Sequence, residues 1–429
     1  ITPLILQHYN EEFALPEVSA GAQASVIGKI RSDGDYIVTH QGVTIVHAKA
    51  TDIVKGIVYD RPSKSINKTL KEPELAEPED YNALLLQLLR HENIASRLPI
   101  YETYDKQVQG RTIIEAGHAD AGVMAPFNND DYPSEIHQVG VALSLDHNPR
   151  YCEIDAYWGT VNAVAESLRN VAAVGASPQT ISDCLCFGNP EKPEHMADFV
   201  QSIEALRDSC GSYHLKEHPE ATLPIVAGNV SFYNESHERA IPPSPMIGCI
   251  GKLENINHAI TQSFKGSGHT LLLLGMPKDE CGGSVYYQLH NELGANLPKP
   301  DIGELQQDIH ALHDAISQQL VVACHDISEG GLAVAIAEMS FEHKIGARVY
   351  LSSELRRDKL LFSETGGFIL EIAPEQLSAV KKCFANRGIK PLEIGETTDE
   401  PRLMMQDCIN LPIDAAYKAW ASGLREKLL

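Results

Sequence analysis

The sequence predicts a mixed α/β protein, and three observations carry that prediction. Short runs rich in β-formers, such as HTLLLLG at 269–275 and LPIVAGNVSF at 223–232, end at Gly, Asn or Pro. Longer stretches with helical apolar spacing lie between them, as in YWGTVNAVAESLRNVAAVGA at 157–176. The length, 429 residues, allows roughly three domains at about 150 residues each.

Composition narrows the class. Hydrophobic residues make up 43% of the chain, which is ordinary for a globular protein. Lys and Arg total 35 against 58 Asp and Glu, a net charge of −23, and protonating all 18 histidines leaves the chain acidic. A nucleic-acid partner is therefore excluded, and a bound phosphate must be held locally by amides, a few side chains and metal ions. No apolar run approaches a membrane span and no signal-peptide pattern opens the chain, so no membrane partner and a cytoplasmic location are expected. Nine cysteines at spacings that form no zinc pattern fit buried thiols in a reducing compartment. Cys184 and Cys186 alternate along a strand-like run and are expected on opposite faces.

The elements follow in order. Residues 24–49 alternate β-formers around Asp33-Gly34 and Gln41-Gly42, which predicts a three-stranded meander. Residues 60–80, rich in Pro, Lys and Glu, read as a linker. Leu84, Leu85, Leu88 and Leu89 mark a helix. Strands are expected near 138–146, 180–187 and 224–232. From 269 onward strands alternate with helices, including QQLVVACHD, a glycine turn, and the helix-like LAVAIAEMSF. His310 and His313 share a face of a polar helix and are expected in solvent. Ile27-Gly28-Lys29 and Ile394-Gly395-Glu396 form an internal echo, each ahead of a short strand pair. The chain starts at Ile1, and the first copy has almost no domain before it, so a longer translation product is expected.

Candidate chemistry collects at strand ends in the middle region, where free amides and rigidly held side chains meet. Asp183 comes from TISDCLCFGNP, and Gly228, Asn229 and Ser231 from the run at 223–232. Glycine admits a phosphate or ribose to the backbone, Asn229 offers a magnesium-suited carbonyl oxygen, and Ser231 a hydroxyl on the same strand face. The same residue types also make simple turns. Glu166 and Asn170 neighbour one another on a helix and, with Asp120, read either as an oxygen-rich magnesium site or as a solvated helix face. Asp146 ends another strand and faces the same presumed cleft. The glycine turns 281–284 and 328–331 each precede a helix and can offer amides to an anion.

The runs YDKQVQG (104–110), HADAGV (118–123), RNVAAVGASP (169–178), DCLCFGNPEKPE (183–194), GNVSFYNES (228–236), GGSVYY (282–287) and HDISEGGLAVAIAE (325–338) together resemble, in collinear order, the second half of the short form of phosphoribosylformylglycinamidine synthase. The resemblance implies an aminoimidazole-ribonucleotide-synthetase-like α/β (α+β) fold, with an N-terminal-type domain at 84–255 and a C-terminal-type domain at 256–429. Residues 1–62 would be the tail of an earlier C-terminal-type domain and 63–83 the linker. It also implies conversion of formylglycinamide ribonucleotide to the amidine. ATP phosphorylates the amide oxygen, and ammonia then displaces phosphate. Asp183 and Gly228 match ATP contacts, Asn229 a magnesium ligand and Ser231 a substrate contact. Asp120, Glu166 and Asn170 resemble an auxiliary nucleotide-magnesium site of the long form. No catalytic residue is assigned within the chain, since the family's histidine is expected upstream of Ile1.

Implied partners are that N-terminal half, a separate glutaminase subunit, a small accessory subunit, and a second copy in a homodimer. Gly248-Cys249-Ile250-Gly251 is not the Gly-x-Cys-x-Gly elbow of a glutaminase. Cys186 stands where the family usually has Asn, Ala156 where Pro is frequent, and Phe368 where Arg is common. Alternatives are another ATP-using synthetase or kinase of the superfamily, and a nucleotide-binding scaffold subunit.

Overall fold

A computed structural model describes residues 1–56, 58–66, 68–236 and 239–428. Residues 1–60 form one unit and 61–429 another. The first unit holds helices α1 (Thr2–Gln7) and α2 (Leu15–Val18), strands β1 (Asp35–His40) and β2 (Val43–Lys49), and helix α3 (Ala50–Lys55). Gln41 and Gly42 both take positive φ, 50° and 78°, as a tight hairpin between right-twisted strands requires. The expected three-stranded meander is corrected to this two-stranded hairpin, because residues 24–30 make no strand. None of the described side chains in 1–60 is buried.

The described residues of 61–80 form no regular element, yet they are tied down along the second unit. Lys64 N donates to Pro193 O, and Lys68 Nζ to Glu153 O. Glu72 accepts from Tyr287 Oη, Ala295 N and Asn296 N at 2.5, 2.9 and 3.0 Å. The Asp80 side chain then caps helix α4 (Tyr81–Arg90) by accepting from Asn82 N and Ala83 N. Helix α5 (Leu98–Tyr101) follows.

The first sheet comprises β3 (Thr112–Ile114), β4 (Gly122–Met124), β5 (Gly140–Asp146), β6 (Ser177–Cys186), β7 (Ile225–Ser231) and β10 (Ser244–Leu253). The short pair β8 (Glu235–Ser236) and β9 (Arg239–Ala240) precedes the last of these. The strand order is β3-β4-β5-β10-β6-β7, all antiparallel except β6 beside β7. Helices α6 (Pro149–Ile154), α7 (Ala156–Ala173) and α8 (Pro193–Ser212) belong to this layer. Helix α7 is buried on nearly every side, which its run of Ala, Gly, Ser and Val permits.

The second sheet holds β11 (Thr270–Leu274), β12 (Ala323–Asp326), β13 (Gly346–Val349), β14 (Phe368–Ile372), β15 (Leu392–Thr398), β16 (Arg402–Met405) and β17 (Ile409–Pro412). Their order is β12-β14-β11-β15-β13-β16-β17. Helices α9 (Val285–Leu289), α10 (Ile302–Ser317), α11 (Gly331–Ser340), α12 (Arg357–Phe362), α13 (Leu377–Ala385), α14 (Ile413–Gly423) and α15 (Arg425–Leu428) complete the chain. One core joins α7 and α10 to side chains of both sheets, and the other packs α4, α9, α11, α12 and α14 on the far face of the second sheet.

Three packing results differ from the sequence reading. The leucines of α4 lie in the second sheet's core, although α4 opens the segment 84–255. His310 and His313 are buried, not solvated, because α10 is packed between α7 and α13. Burial lowers both pKa values to about 4. The echo between the chain's ends takes physical form as a hairpin followed by a helix, β1-β2-α3 and β16-β17-α14. Strand β15, the counterpart of 24–30, bonds to β11 and β13, which have no equivalent among the described residues of 1–60.

Candidate functional site

Two constellations carry the chemistry. The first lies on the parallel pair β6 and β7, where Asp183 stands opposite Gly228, Cys184 opposite Asn229 and Cys186 opposite Ser231. Side chains opposite one another share a face, so the four expected residues divide into two pairs. Asp183 lies between the buried Ile181 and Leu185, on the helix-covered face. Burial raises its pKa, partly offset by the Asn229 backbone N–H that it accepts. A Cβ on Gly228 would lie 2.7 Å from the Asp183 carboxylate, so only glycine fits there. Asn229 and Ser231 project on the open face. The Asn229 amide donates to Cys184 Sγ at 3.6 Å, and Ser231 Oγ donates to Asn234 Oδ1 at 3.2 Å.

Cys184 and Cys186 are also on this open face, with Sγ atoms 4.0 Å apart. The expectation of opposite faces is thereby corrected: a strand repeats every two residues, so positions i and i+2 point the same way.

The second constellation is buried between the two sheets. Asp120, in the turn before β4, accepts from His325 Nδ1 at 2.6 Å and from Asp326 N at 3.1 Å. The other imidazole nitrogen of His325 meets Glu338 Oε2 at 3.1 Å. Burial alone would lower the His325 pKa, but the carboxylates on both ring nitrogens raise it well above the ordinary value. Asp326 meets Arg169 Nε at 3.3 Å. Asn170 donates to Asp146 Oδ1 at 2.7 Å, and Asp146 Oδ2 is buried with no hydrogen-bond partner. Burial pushes Asp146 and Asp326 each up to about 7. Burial and then Glu329, Asp146 and Asp326 raise Glu166 well above the carboxylate range.

The solvated-face reading of Glu166 and Asn170 is therefore overturned, since α7 buries that face. Gly366 lies flat on the Arg169 guanidinium, where a Cβ would overlap it. The two glycine turns do present amides to an anion, and that anion is the protein's own. Val285 N and Gly330 N both donate to Glu364 Oε1, at 2.8 and 2.9 Å. Tyr151 Oη donates to its other oxygen at 2.6 Å.

Asp120, Glu166 and Asn170, singled out in the sequence, thus surround one buried cluster. Arg169, His325, Asp326, Glu329 and Glu338 complete it and were missed. The signal was present in HDISEGG, a strand end running into a glycine turn, but a histidine followed by two acids does not reveal a partner 205 positions away. Chemically, the carboxylates Asp120, Asp146, Glu166, Asp326 and Glu329 outnumber Arg169 and His325. With one carboxylate oxygen unpaired, this donor set fits a divalent cation. Among the described residues, ligand atoms of Asp120, His325 and Asp326 lie within 4.8 Å of one another, and both ring nitrogens of His325 face carboxylates.

The family model "AIR synthase related protein, N-terminal domain" matches residues 118–253, and "AIR synthase related protein, C-terminal domain" matches 266–407. "Phosphoribosylformylglycinamidine synthase subunit PurL" of Methanothrix thermoacetophila is 43% identical across 99% of this chain and 55% of its own length. The same subunit of Methanocaldococcus jannaschii is 35% identical across 92% of this chain and 54% of its own. The chain thus spans about half the length of the curated relatives it matches. Among solved structures, "T. maritima PurL complexed with FGAR" superposes with a TM-score of 0.61 at 17% identity, covering 79% of this chain and 54% of that one. "T. maritima PurL complexed with ATP" gives 0.57 at 17% identity, covering 78% and 51%.

Proposed function

Since the chain belongs to the phosphoribosylformylglycinamidine synthase subunit PurL family, within the AIR synthase related proteins, we propose that it serves the ATP-dependent conversion of formylglycinamide ribonucleotide to the amidine in purine biosynthesis. The observation that carries this reading is the collinear match along 99% of the chain. The site geometry alone would suit any magnesium nucleotide. In this reading the β7 backbone at Gly228 meets ATP, with the Asp183 carboxylate packed beneath it on the helix-covered face and holding the Asn229 N–H, while on the open face Asn229 offers its carbonyl oxygen to magnesium and Ser231 meets the ribonucleotide. Magnesium, when bound, neutralises charge on the transferring phosphoryl group. The chain's own part is positioning: paired strands fix Asn229 and Ser231 two residues apart on one face, so a phosphate and its acceptor are held side by side.

We assign the buried cluster to a second divalent cation, held by Asp120, Glu166 and Asn170 with Asp146 and Asp326. It is framed by residues of both 84–255 and 256–429, the two domains proposed here, so it would lock them together. The reaction needs ammonia, which in this reading comes from a separate glutaminase subunit, with a small accessory subunit in the assembly and the whole in the cytoplasm. The open sheet face is proposed to pair with an equivalent sheet, either the first half of such a synthase or a second copy of this chain. The test is amidine formation from ATP, magnesium, ammonia and the ribonucleotide. This polypeptide alone is expected to be silent and to gain turnover when the first half of a relative is added. Full turnover from the polypeptide alone, or none after complementation, would refute the reading.

A further inference from the structure

We propose that Cys184 and Cys186 form a binding site for a thiophilic d10 metal ion, of the zinc and copper(I) class, on the open face of the first sheet. Their sulfurs are 4.0 Å apart. Two sulfurs on one tetrahedral ion, with bonds of about 2.3 Å, stand roughly 3.8 Å apart, so the pair chelates with almost no movement. A disulfide is the poorer outcome. At about 3.3 Å per residue the two Cα atoms are roughly 6.6 Å apart, at the long end of disulfide geometry, and the strand holds them there.

Further donor-bearing side chains stand opposite the pair on the adjoining strands. Met246 on β10 and Asn229 on β7 flank Cys184, while Ser244 and Ser231 flank Cys186. Thiolate and thioether sulfur select soft ions over magnesium. The pair is half-buried and reachable, whereas Cys152, Cys210, Cys249, Cys281 and Cys324 are buried. Cys383 and Cys408 are also half-buried, but each has a different partner, Gln318 Nε2 and Met405 O. Binding displaces the two thiol protons to solvent.

An ion here would draw on Asn229 and Ser231, the residues assigned above to magnesium and the ribonucleotide. It would therefore oppose them, a consequence that rests on that functional reading; the binding itself does not.

The test uses the fully reduced chain, titrated with Cd2+ and followed by its ultraviolet thiolate-to-metal band, with Zn2+ measured by competition against a chromophoric chelator. One tight equivalent is expected. Either single variant, Cys184→Ser or Cys186→Ser, should weaken it at least tenfold, and the double variant should remove the band. The Cys383→Ser/Cys408→Ser pair serves as a control that keeps it. Thermal unfolding of each variant confirms that it is folded. No tight equivalent in the reduced chain, or an undiminished band in the folded double variant, would overturn the site. Persistent cadmium binding without competition from Mg-ATP would count against the functional reading and leave the thiol site standing.

Discussion

Asp146, Asp326 and Glu364 share a predicament: each is a carboxyl buried where its charge is poorly solvated, and each has its pKa pushed up to about 7. The sign of the consequence follows from linkage. A carboxyl raised above its unfolded value near 4 favours the folded state while protonated, and that contribution is lost as pH rises through about 7. His325, raised as well, adds to this trend, whereas His310 and His313, lowered to about 4, oppose it as the unfolded imidazoles lose their protons near 6.5. The three carboxyls, each raised to about 7, outweigh those two. The metal-free chain should therefore melt at a lower temperature at pH 8 than at pH 6. Millimolar magnesium should restore more stability at pH 8, where the cluster is ionised. Scanning calorimetry with and without magnesium would check both: a pH-independent melting temperature would refute the raised carboxyls, and no stabilisation by magnesium at pH 8 would remove the cation from the cluster. On the β6–β7 pair, Asp183→Ala on the covered face and Asn229→Ala on the open face should each lower turnover in the complemented enzyme at least tenfold, about 1.4 kcal/mol of transition-state stabilisation. Ser231→Ala should raise KM for the ribonucleotide more than KM for ATP. Wild-type kinetics in all three would make these residues ordinary turn formers.

Elements bounded by apolar runs were legible in the sequence, because β5, β6, β7, β11 and β12 each advertise a strand ending at a turn. What composition hid was tertiary. The Pro-, Lys- and Glu-rich stretch at 60–80 reads as a tether, yet Glu72 uses its carboxylate as a cap for Tyr287 and the amides of 295 and 296. A glutamate in a polar run carries no mark that distinguishes such a partner from water. Helix α10 looks polar on a wheel, and only its place between α7 and α13 buries His310 and His313. The Glu166 face of α7 misleads in the same way, since Glu166 and Asn170 serve a buried cluster. If the strap is structural, Glu72→Ala should cost about 1–2 kcal/mol, the order expected for losing charge-assisted bonds from the buried Tyr287 hydroxyl and two more exposed amides. Urea denaturation would measure this, and Glu72→Gln should recover part of it. A loss below about 0.5 kcal/mol would return the segment to the status of a passive linker.

At the scale of the molecule, the first sheet is covered on one side only. Met124, Leu143, Leu145 and Ile250 stand 37–72% exposed on the face that also carries Asn229 and Ser231. Strand β7 leaves a free edge with Ile225, Val226 and Val230 at the surface. An apolar sheet face beside an unpaired edge is stabilised by a second sheet, and a twofold pairing supplies one from an identical chain. The opposing term is the net charge of −23 on each copy. Salt screens that repulsion within about 8–10 Å and leaves apolar contact intact. Self-association at micromolar concentration, strengthening modestly between 0.05 and 0.5 M salt, where the Debye length falls from about 14 to about 4 Å, is therefore the expected behaviour. Leu145→Asp should abolish it, by placing a charge at the most exposed apolar position of the face. Whatever covers this face also closes over Asn229 and Ser231, so the same substitution should weaken ribonucleotide binding in the complemented enzyme. Sedimentation velocity across a concentration series would decide the matter. A strict monomer at high protein and 0.5 M salt, or an association that Leu145→Asp leaves unchanged, would show that the pairing surface lies elsewhere.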